Sequence, residues 1–384
     1  MTTWVESPVP GSEPEAALGA RWRAQAASAQ EAALPDGRVV VSCPAPFGVG
    51  GLGRHLQEIV DALDRRGQPR ECICESSRAQ PSSSARRDLR TRGFTTALAP
   101  LARFSPAWRI WTASVAFDAH AARRLPAADH LIGFNGTSLA QFSAATRARC
   151  KSVSLMSANS HFRHLMRQHA RAYRQYPIER PWATRLLGRN LAEYAQAERI
   201  HVASRYVRES FLEEGFPEEK LSLFPLTPDP RYEPGAAPPT AAAFDIVYVG
   251  SLTVHKGVPL LLDAVQRLSH LDMRLLLVGG WKARGMRRFI EQARARDARI
   301  AVCPGDPLPH LRAARLCVHP AYEDGFAYAP AEALACGVPV IVSEDTGMKE
   351  LIDPGHNGLI LPTGDLAKLT EAIEAAYRGD IFDG

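Results

Sequence analysis

Short apolar runs alternate with longer amphipathic stretches along most of the chain. The first run, Arg38–Cys43, is rich in β-branched residues, as is typical of a buried parallel strand. A glycine-rich turn follows it, and then a stretch from about Gly51 to Arg66 whose apolar residues fall on one helical face. This alternation predicts parallel sheets whose strands are connected by crossover helices.

The same pattern predicts further strands on both sides of a proline-rich stretch. In the first part they are Glu71–Cys74, His130–Phe134, Ser152–Met156 and Arg199–Ala203. In the second part they are Asp245–Val249, Met273–Val278, Ile300–Cys303, Leu316–His319, Val338–Val342 and Gly358–Leu361. The polar, Ser- and Arg-rich residues Arg78–Arg92 predict a mobile surface loop.

Five prolines fall within residues 228–243, where the apolar periodicity stops, and this predicts a hinge. We expect an N-terminal extension over 1–36 with a helix from about Glu13 to Leu34, a first domain over 37–228, a hinge over 229–243 and a second domain over 244–384. Two doubly wound α/β halves bind ligands beyond the carboxyl ends of their strands, so we expect the site in a central cleft that the two domains face.

Composition narrows the class of protein. The 384 residues are 46% hydrophobic, yet no apolar run approaches the roughly 18 residues that span a bilayer. The first residues lack the basic and apolar regions of a secretory signal. The seven cysteines are scattered, without a Cys-x-x-Cys pair. We therefore expect a reduced, cytoplasmic protein without a metal site.

Positive charge is concentrated in the first part of the chain. Residues 1–240 carry a net charge of +8 and residues 241–384 carry −3. The stretch His161–Arg189 has seven arginines, three histidines and a single acidic residue. Two interpretations stay open: a solvated helix face, or a surface for an anionic acceptor or for lipid headgroups at the inner face of the membrane. Nucleic acid is disfavoured because no nucleic-acid motif accompanies these residues.

The most specific chemistry lies in the segment Pro320–Val340. Asp324 precedes a predicted helix over about Ala329–Ala335, and Glu332 lies within that helix, eight positions later. Between them, Gly325 and the backbone N–H groups of Phe326, Ala327 and Tyr328 stand at the helix N-terminus, where anions such as phosphate bind. Carboxylates beside phosphate donors suit a nucleotide-sugar.

This segment resembles the acidic-x7-acidic signature of the retaining family 4 glycosyltransferases, which have the GT-B fold. The resemblance implies that Asp324 binds donor-sugar hydroxyls, unless Glu323 takes that part in a shifted register, and that Glu332 binds the donor ribose. It extends over about residues 38–378, but the sequence shows no counterpart of the helices with which family members usually cross back onto the first domain.

Other segments resemble the same family. Asp245–Gly257 is similar to its Gly-Arg-Leu-x-x-x-Lys-Gly segment, which implies that Lys256 neutralises the leaving diphosphate, with Ser251 in place of the arginine. Gly48–Gly53, with Gly50 and Gly51 at its centre, resembles the loop beside the diphosphate, and otherwise is a tight strand–helix turn.

His161 lies in a segment, Asn159–His161, that resembles the Ser-His segment of a family 4 subgroup. That resemblance implies a role in orienting the donor sugar or the acceptor nucleophile. The alternative is a surface histidine beside Arg163.

The resemblance as a whole implies a metal-independent, retaining hexosyltransferase without a cofactor. The donor would be a UDP- or GDP-sugar, and the acceptor a glycan or a lipid-linked glycan. Two alternatives stay open: a catalytically degenerate GT-B scaffold that retains nucleotide affinity, and another GT-B enzyme such as a nucleotide-sugar epimerase.

Overall fold

The computed structural model describes residues 15–75, 86–89, 105–235 and 244–382. The chain divides into two compact units. The N-terminal unit comprises residues 26–166 and 180–226, and the C-terminal unit comprises residues 1–25, 167–179 and 227–384. Residues 167–179 thus belong to the C-terminal unit although both of their flanks in the sequence belong to the other one.

The N-terminal unit contains a seven-stranded parallel sheet in the order β3-β2-β1-β4-β5-β6-β7. Its strands are β1 Val39–Pro46, β2 Arg70–Glu75, β3 Arg86–Leu89, β4 His130–Phe134, β5 Ser152–Ser157, β6 Arg199–Val202 and β7 Leu221–Leu223. The strand order reverses between β1 and β4, so the loops after these two strands lie at the topological switch point of the sheet.

Seven helices are described in the first part of the chain. They are α1 Glu15–Ala33, α2 Gly50–Arg65, α3 Pro106–Arg123, α4 Leu139–Arg147, α5 Phe162–Gln175, α6 Leu187–Gln196 and α7 Arg205–Glu213. Helices α1 and α5 each run from one unit into the other. The core of the N-terminal unit is aromatic, with Phe117, Phe142, Tyr194 and Phe211 almost fully buried.

The C-terminal unit contains a six-stranded parallel sheet in the order β10-β9-β8-β11-β12-β13. Its strands are β8 Phe244–Val249, β9 Met273–Val278, β10 Ile300–Val302, β11 Leu316–His319, β12 Val340–Ser343 and β13 Gly358–Leu361. Its helices are α8 Val258–Arg267, α9 Arg284–Arg296, α10 Leu308–Ala313, α11 Tyr328–Ala335 and α12 Leu366–Arg378. Here the order reverses between β8 and β11.

The predicted α/β class with two doubly wound sheets is confirmed. The expectation of a loop throughout Arg78–Arg92 is wrong at Arg86–Leu89, which forms the edge strand β3 and pairs with β2. An edge strand has one neighbour only and tolerates charged residues, so this strand lacks the apolar pattern of a buried one. The short strand β7 was also not predicted. The rest of the Arg78–Arg92 loop, apart from these four residues, and hinge residues 236–243 lie outside the described residues.

No described helix is long and apolar enough to cross a membrane. Within the same residues, no group of three or more His, Cys, Asp or Glu side chains is placed to hold a metal ion. All seven cysteines are free thiols.

Candidate functional site

Two loops of the C-terminal unit lie at the switch point of its sheet. One follows β8 and leads to α8, and the other follows β11 and leads to α11. These loops carry Lys256 and Asp324, respectively. Since β8 and β11 are neighbouring parallel strands, their carboxyl ends bring the two loops side by side.

Gly257 allows the two loops to touch. Its φ is +73°, in the left-handed region that favours glycine. A Cβ atom at this position would lie 1.9 Å from the carbonyl oxygen of Pro320, which no side chain tolerates. Glycine at 257 therefore places the preceding residue, Lys256, directly against the loop that follows β11.

Lys256 and Asp324 form an ion pair across the two loops. Lys256 Nζ lies 2.8 Å from Asp324 Oδ2, and it donates a hydrogen bond to the carbonyl oxygen of Glu323 at 3.1 Å. The side chains are 18% and 19% exposed. The pair is thus largely shielded but still reachable from solvent.

Asp324 has two further partners besides the lysine. His319 Nε2 lies 3.1 Å from Asp324 Oδ2, and the backbone N–H of Ala327 donates to Asp324 Oδ1 at 3.1 Å. Burial alone would raise the pKa of Asp324, but the charges and hydrogen bonds of Lys256 and His319 outweigh it and hold the pKa well below its usual range. Asp324 is therefore a carboxylate at neutral pH.

His319 is held in place by an aromatic neighbour. Its ring is stacked on that of Tyr248, with centroids 5.8 Å apart and an angle of 7° between the planes. The Tyr248 hydroxyl donates to the carbonyl oxygen of Ser251 at 2.9 Å. Sequence patterns do not single out Tyr248 or His319. His319 contacts Asp324 directly, and Tyr248 supports His319 and bonds to the backbone at Ser251.

The acidic loop ends in an unusual backbone conformation at Ala327. This residue precedes α11 and has a φ of +68°, a region that residues other than glycine seldom adopt. The N–H of Ala327 donates to Asp324. This amide is therefore not an open donor at the helix N-terminus, which differs from the expectation from the sequence. The helix itself begins at Tyr328, one residue earlier than predicted.

The remaining acidic residues of the segment are buried. Glu323 and Glu332 are 1% and 2% exposed. Lys256 contacts the backbone carbonyl oxygen of Glu323 and the carboxylate of Asp324. Glu332 lies on α11, and its charge contributes to raising the pKa of the buried Cys317 thiol, after the larger effect of desolvation.

The first part of helix α1, residues 15–25, belongs to the same unit and also reaches the acidic loop. The Trp22 ring on α1 lies 5.4 Å from the ring of Phe326, centroid to centroid, and Phe326 packs edge-on against Tyr328 at 5.2 Å. The sequence predicts this helix only as part of an N-terminal extension. A lone tryptophan in an alanine-rich helix offered no signal of its contact.

In the N-terminal unit, the glycine-rich loop occupies the switch point between β1 and β4. Gly48 and Gly50 have φ values of +70° and +65°, and a Cβ on Gly53 would lie 2.0 Å from the carbonyl oxygen of Pro46. Helix α2 begins at Gly50, so Gly50 and Gly51 form its first, exposed turn. The position fits both the expected ligand loop and a tight strand–helix turn.

His161 lies in the interior of the N-terminal unit. It is 1% exposed, and its ring packs against Tyr194, Phe211 and Phe216 at centroid distances of 5.0 to 5.4 Å. Its backbone N–H donates to Ser210 Oγ at 2.8 Å. The alternative of a surface histidine is therefore wrong, and these contacts give His161 a packing role.

Part of the basic stretch His161–Arg189 is neutralised internally. Arg189 is bonded to Asp118 and lies 3.4 Å from Glu193 Oε1. The guanidinium of Arg185 lies over the Trp108 ring, 3.6 Å from its centroid. The stretch is thus not a uniform solvated face.

The part of the chain that carries Lys256, Asp324 and Glu332 has known counterparts. Residues 243–378 match the family of glycosyl transferases group 1. The match takes in both loops of the switch point and all of α11.

Curated relatives share about a quarter to a third of the aligned residues with this chain. D-inositol 3-phosphate glycosyltransferase of Pseudarthrobacter chlorophenolicus is 30% identical over 158 residues, which cover 38% of this chain and 37% of the relative. O-antigen chain mannosyltransferase B of Escherichia coli is 30% identical over 143 residues, or 35% and 37% of the two chains. The chain thus spans somewhat more than a third of the length of these relatives.

Solved glycosyltransferase structures share the fold over most of the chain. Sucrose-phosphate synthase from Thermosynechococcus elongatus has a TM-score of 0.64 at 20% identity and covers 88% of both chains. Anabaena HepE in complex with UDP-glucose has a TM-score of 0.57 at 16% identity and covers 90% of both chains. At these identities the likeness shows the GT-B type fold alone.

Proposed function

We propose that this protein is a metal-independent, retaining glycosyltransferase that moves a hexose-type sugar from a UDP- or GDP-sugar to a glycan or lipid-linked glycan. The observation that carries the proposal is the Lys256–Asp324 pair at the switch point, within the region that matches group 1 glycosyl transferases. The complexes of Anabaena HepE with UDP and with UDP-glucose support a nucleotide-sugar donor.

Lys256 would stabilise the departing nucleoside diphosphate. When the bond to the anomeric carbon breaks, negative charge grows on the diphosphate, and a cation held in place lowers that barrier. The ammonium is held by Asp324 and by the Glu323 carbonyl, so little reorganisation is needed at the moment of reaction. Ser251 supplies no second charge, so the lysine would carry most of this stabilisation.

Asp324 and Glu332 would hold the donor, with Asp324 on sugar hydroxyls and Glu332 on the ribose. Asp324 uses Oδ2 for Lys256 and His319, and Oδ1 for Ala327. A carboxylate oxygen accepts more than one hydrogen bond, so a sugar hydroxyl would share these oxygens with the present donors. Gly325 and the amides of Phe326 and Tyr328 would flank the diphosphate.

Removing the charged side chain of Lys256 or of Glu332 tests the proposal. We expect Lys256→Ala to reduce the rate of sugar transfer by about 10²–10³-fold, the usual effect of losing one preorganised stabilising group. Glu332→Ala should weaken donor binding. Transfer would be measured with labelled UDP- and GDP-sugars on a panel of glycan and lipid-linked acceptors. Normal rates in both variants would overturn the assignment.

Retention and metal independence have their own readouts. Proton NMR of the product, recorded early in the reaction, should show the anomeric configuration of the donor. Transfer should continue in EDTA. An inverted product, or loss of activity that Mg²⁺ restores, would contradict this part of the proposal.

A degenerate scaffold that binds nucleotide without transfer is the second candidate. It is favoured by the ion pair itself, because Asp324 already neutralises the lysine meant for the diphosphate, and by serine at position 251. Turnover of any donor at enzyme-like rates by the purified protein would eliminate it.

A further inference from the structure

The segment Arg167–Glu179 holds the two site loops although the sequence places it among elements of the other unit. It comprises the last nine residues of α5 and the turn that follows. The basic composition of this segment predicts that it lies at the protein surface. In the structure, Ala172, Tyr173 and Tyr176 are instead part of the hydrophobic core of the C-terminal unit.

The first set of contacts fixes the loop that carries Lys256. Glu179 Oε1 accepts a hydrogen bond from the backbone N–H of Val254 at 2.9 Å. The Tyr173 hydroxyl is hydrogen-bonded to His255 Nδ1 at 3.2 Å. The ring of His169 packs on that of His255, with centroids 4.6 Å apart. The two residues before Lys256 are therefore both held by this segment.

The second set fixes the loop that carries Asp324. The Tyr322 hydroxyl donates to Gln175 Oε1 at 2.6 Å, and Tyr322 is 1% exposed. The backbone N–H of Tyr322 donates to the carbonyl oxygen of His255 at 2.9 Å, which joins the two loops directly. Gln175 therefore acts on the residue two positions before Asp324.

The segment itself is anchored away from the two loops. The Tyr176 hydroxyl donates to Asp263 on α8 at 2.8 Å. The carbonyl oxygen of Ile178 lies so close to α9 that a Cβ on Gly285 would be 2.0 Å from it. Arg171 and Gln175 donate to the carbonyl oxygens of Thr363 and Gly364, at 3.0 and 3.2 Å. Because the segment Arg167–Glu179 is anchored at these points, its position determines the position of the two loops.

We propose that Tyr173, Gln175 and Glu179 are positioning residues that set the geometry of the Lys256–Asp324 pair through His255, Val254 and Tyr322. This inference rests on the proposed glycosyltransferase function. Misplacement of a catalytic group by about 1 Å costs on the order of 10²-fold in rate, so residues that touch neither donor nor acceptor still control the reaction through the two loops.

The test uses three variants of the full chain, Tyr173→Phe, Gln175→Ala and Glu179→Ala, with matched controls in the same unit. Tyr377→Phe on α12 removes a hydroxyl for which the described residues provide no hydrogen-bond partner. Glu371→Ala removes an exposed carboxylate that pairs only with Lys368 in the described part of the chain. Each protein is assayed for kcat, KM and thermal midpoint.

We expect kcat to fall at least tenfold in the three variants, with KM changed less than threefold, and both values unchanged in the controls. Measurements at 25 °C, well below the thermal midpoints, separate this effect from simple loss of stability. Variants that lose thermal stability but keep the wild-type kcat would show a merely structural role and overturn the proposal.

A second readout does not depend on activity. The chain has six lysines, so reductive ¹³C-methylation gives a simple NMR spectrum in which Lys256→Arg assigns the Lys256 signal. Tyr173→Phe should shift that signal, and Tyr377→Phe should not. If the wild type transfers no sugar but the signal shifts, the proposed function fails while the positioning role stands. An unshifted signal would refute the positioning role.

Discussion

At the scale of single residues, Asp324 organises the acidic loop around itself. Its two carboxylate oxygens bind a lysine, a histidine and a backbone N–H, and its own N–H donates to the carbonyl of Asp345. Asp324 thus joins both loops of the switch point to the start of α11.

Ala327 carries local strain that glycine would relieve. Its left-handed backbone costs an L-residue roughly 1–2 kcal/mol, offset in part by the greater freedom of glycine in the unfolded chain. We expect Ala327→Gly to raise the free energy of unfolding by up to about 1 kcal/mol in urea denaturation. Ala329→Gly, within α11, should lower it by about the same amount. Destabilisation by Ala327→Gly would mean that the methyl group packs better than the backbone is strained.

The sequence predicted the charged residues of the site but not the contacts that they make with one another and with their neighbours. Lys256, Asp324 and Glu332 came from the family resemblance, and the structure brings the first two together. Their support by Tyr248, His319, Tyr173 and Gln175 was not predictable. Each contact joins residues from different elements, and a local pattern contains no information on such pairs.

At the scale of elements, apolar runs predicted every described strand except β3 and β7, the two edge strands of the N-terminal sheet. Strands β4, β9, β11 and β13 begin and end where predicted. The edge strand β3 was missed because it is charged, and the assignment of residues 167–179 to the C-terminal unit was not foreseen. The unit to which a helix half belongs depends on tertiary contacts, which its own sequence does not encode.

Close approach between the two site loops depends on glycine at 257. We expect Gly257→Ala to lower the free energy of unfolding by more than about 2 kcal/mol, because it combines a clash at 1.9 Å with an unfavourable φ. Gly280→Ala is the matched control, since no atom lies within 4 Å of a Cβ there. Chemical denaturation of both variants checks this. Equal stabilities would show that the loops part without cost.

At the scale of the whole molecule, buried histidines make stability depend on pH. Burial lowers the pKa of His55 and of His169 to about 3, and that of His201 to about 4, from an ordinary value of 6.5. Between these values the unfolded chain binds protons that the folded chain does not. The free energy of unfolding is therefore highest above pH 6.5 with respect to these groups and falls as the pH drops towards 4.

We expect His55→Phe to remove part of this acid sensitivity. The ring of His55 lies between Phe134 and Phe224, so phenylalanine fits its surroundings. The loss of stability between pH 7.5 and pH 5 should shrink by about 1–2 kcal/mol. Glu193 affects the pH dependence of stability in the opposite sense, because burial raises its pKa to about 7. It is present in both the wild type and His55→Phe, so it does not alter the difference between them. An unchanged slope in His55→Phe would contradict the assignment.

The central claim is that the C-terminal unit binds a nucleotide-sugar at the Lys256–Asp324 pair. The most direct measurement is the thermal stability of the wild type, Lys256→Ala and Glu332→Ala with UDP, GDP and ADP. A nucleotide at about 100 times its Kd should stabilise the wild type by roughly 2.7 kcal/mol. We predict that UDP or GDP does so, and that both variants lose most of the effect. Equal stabilisation of the variants, or none of the wild type by any nucleotide, would contradict the claim.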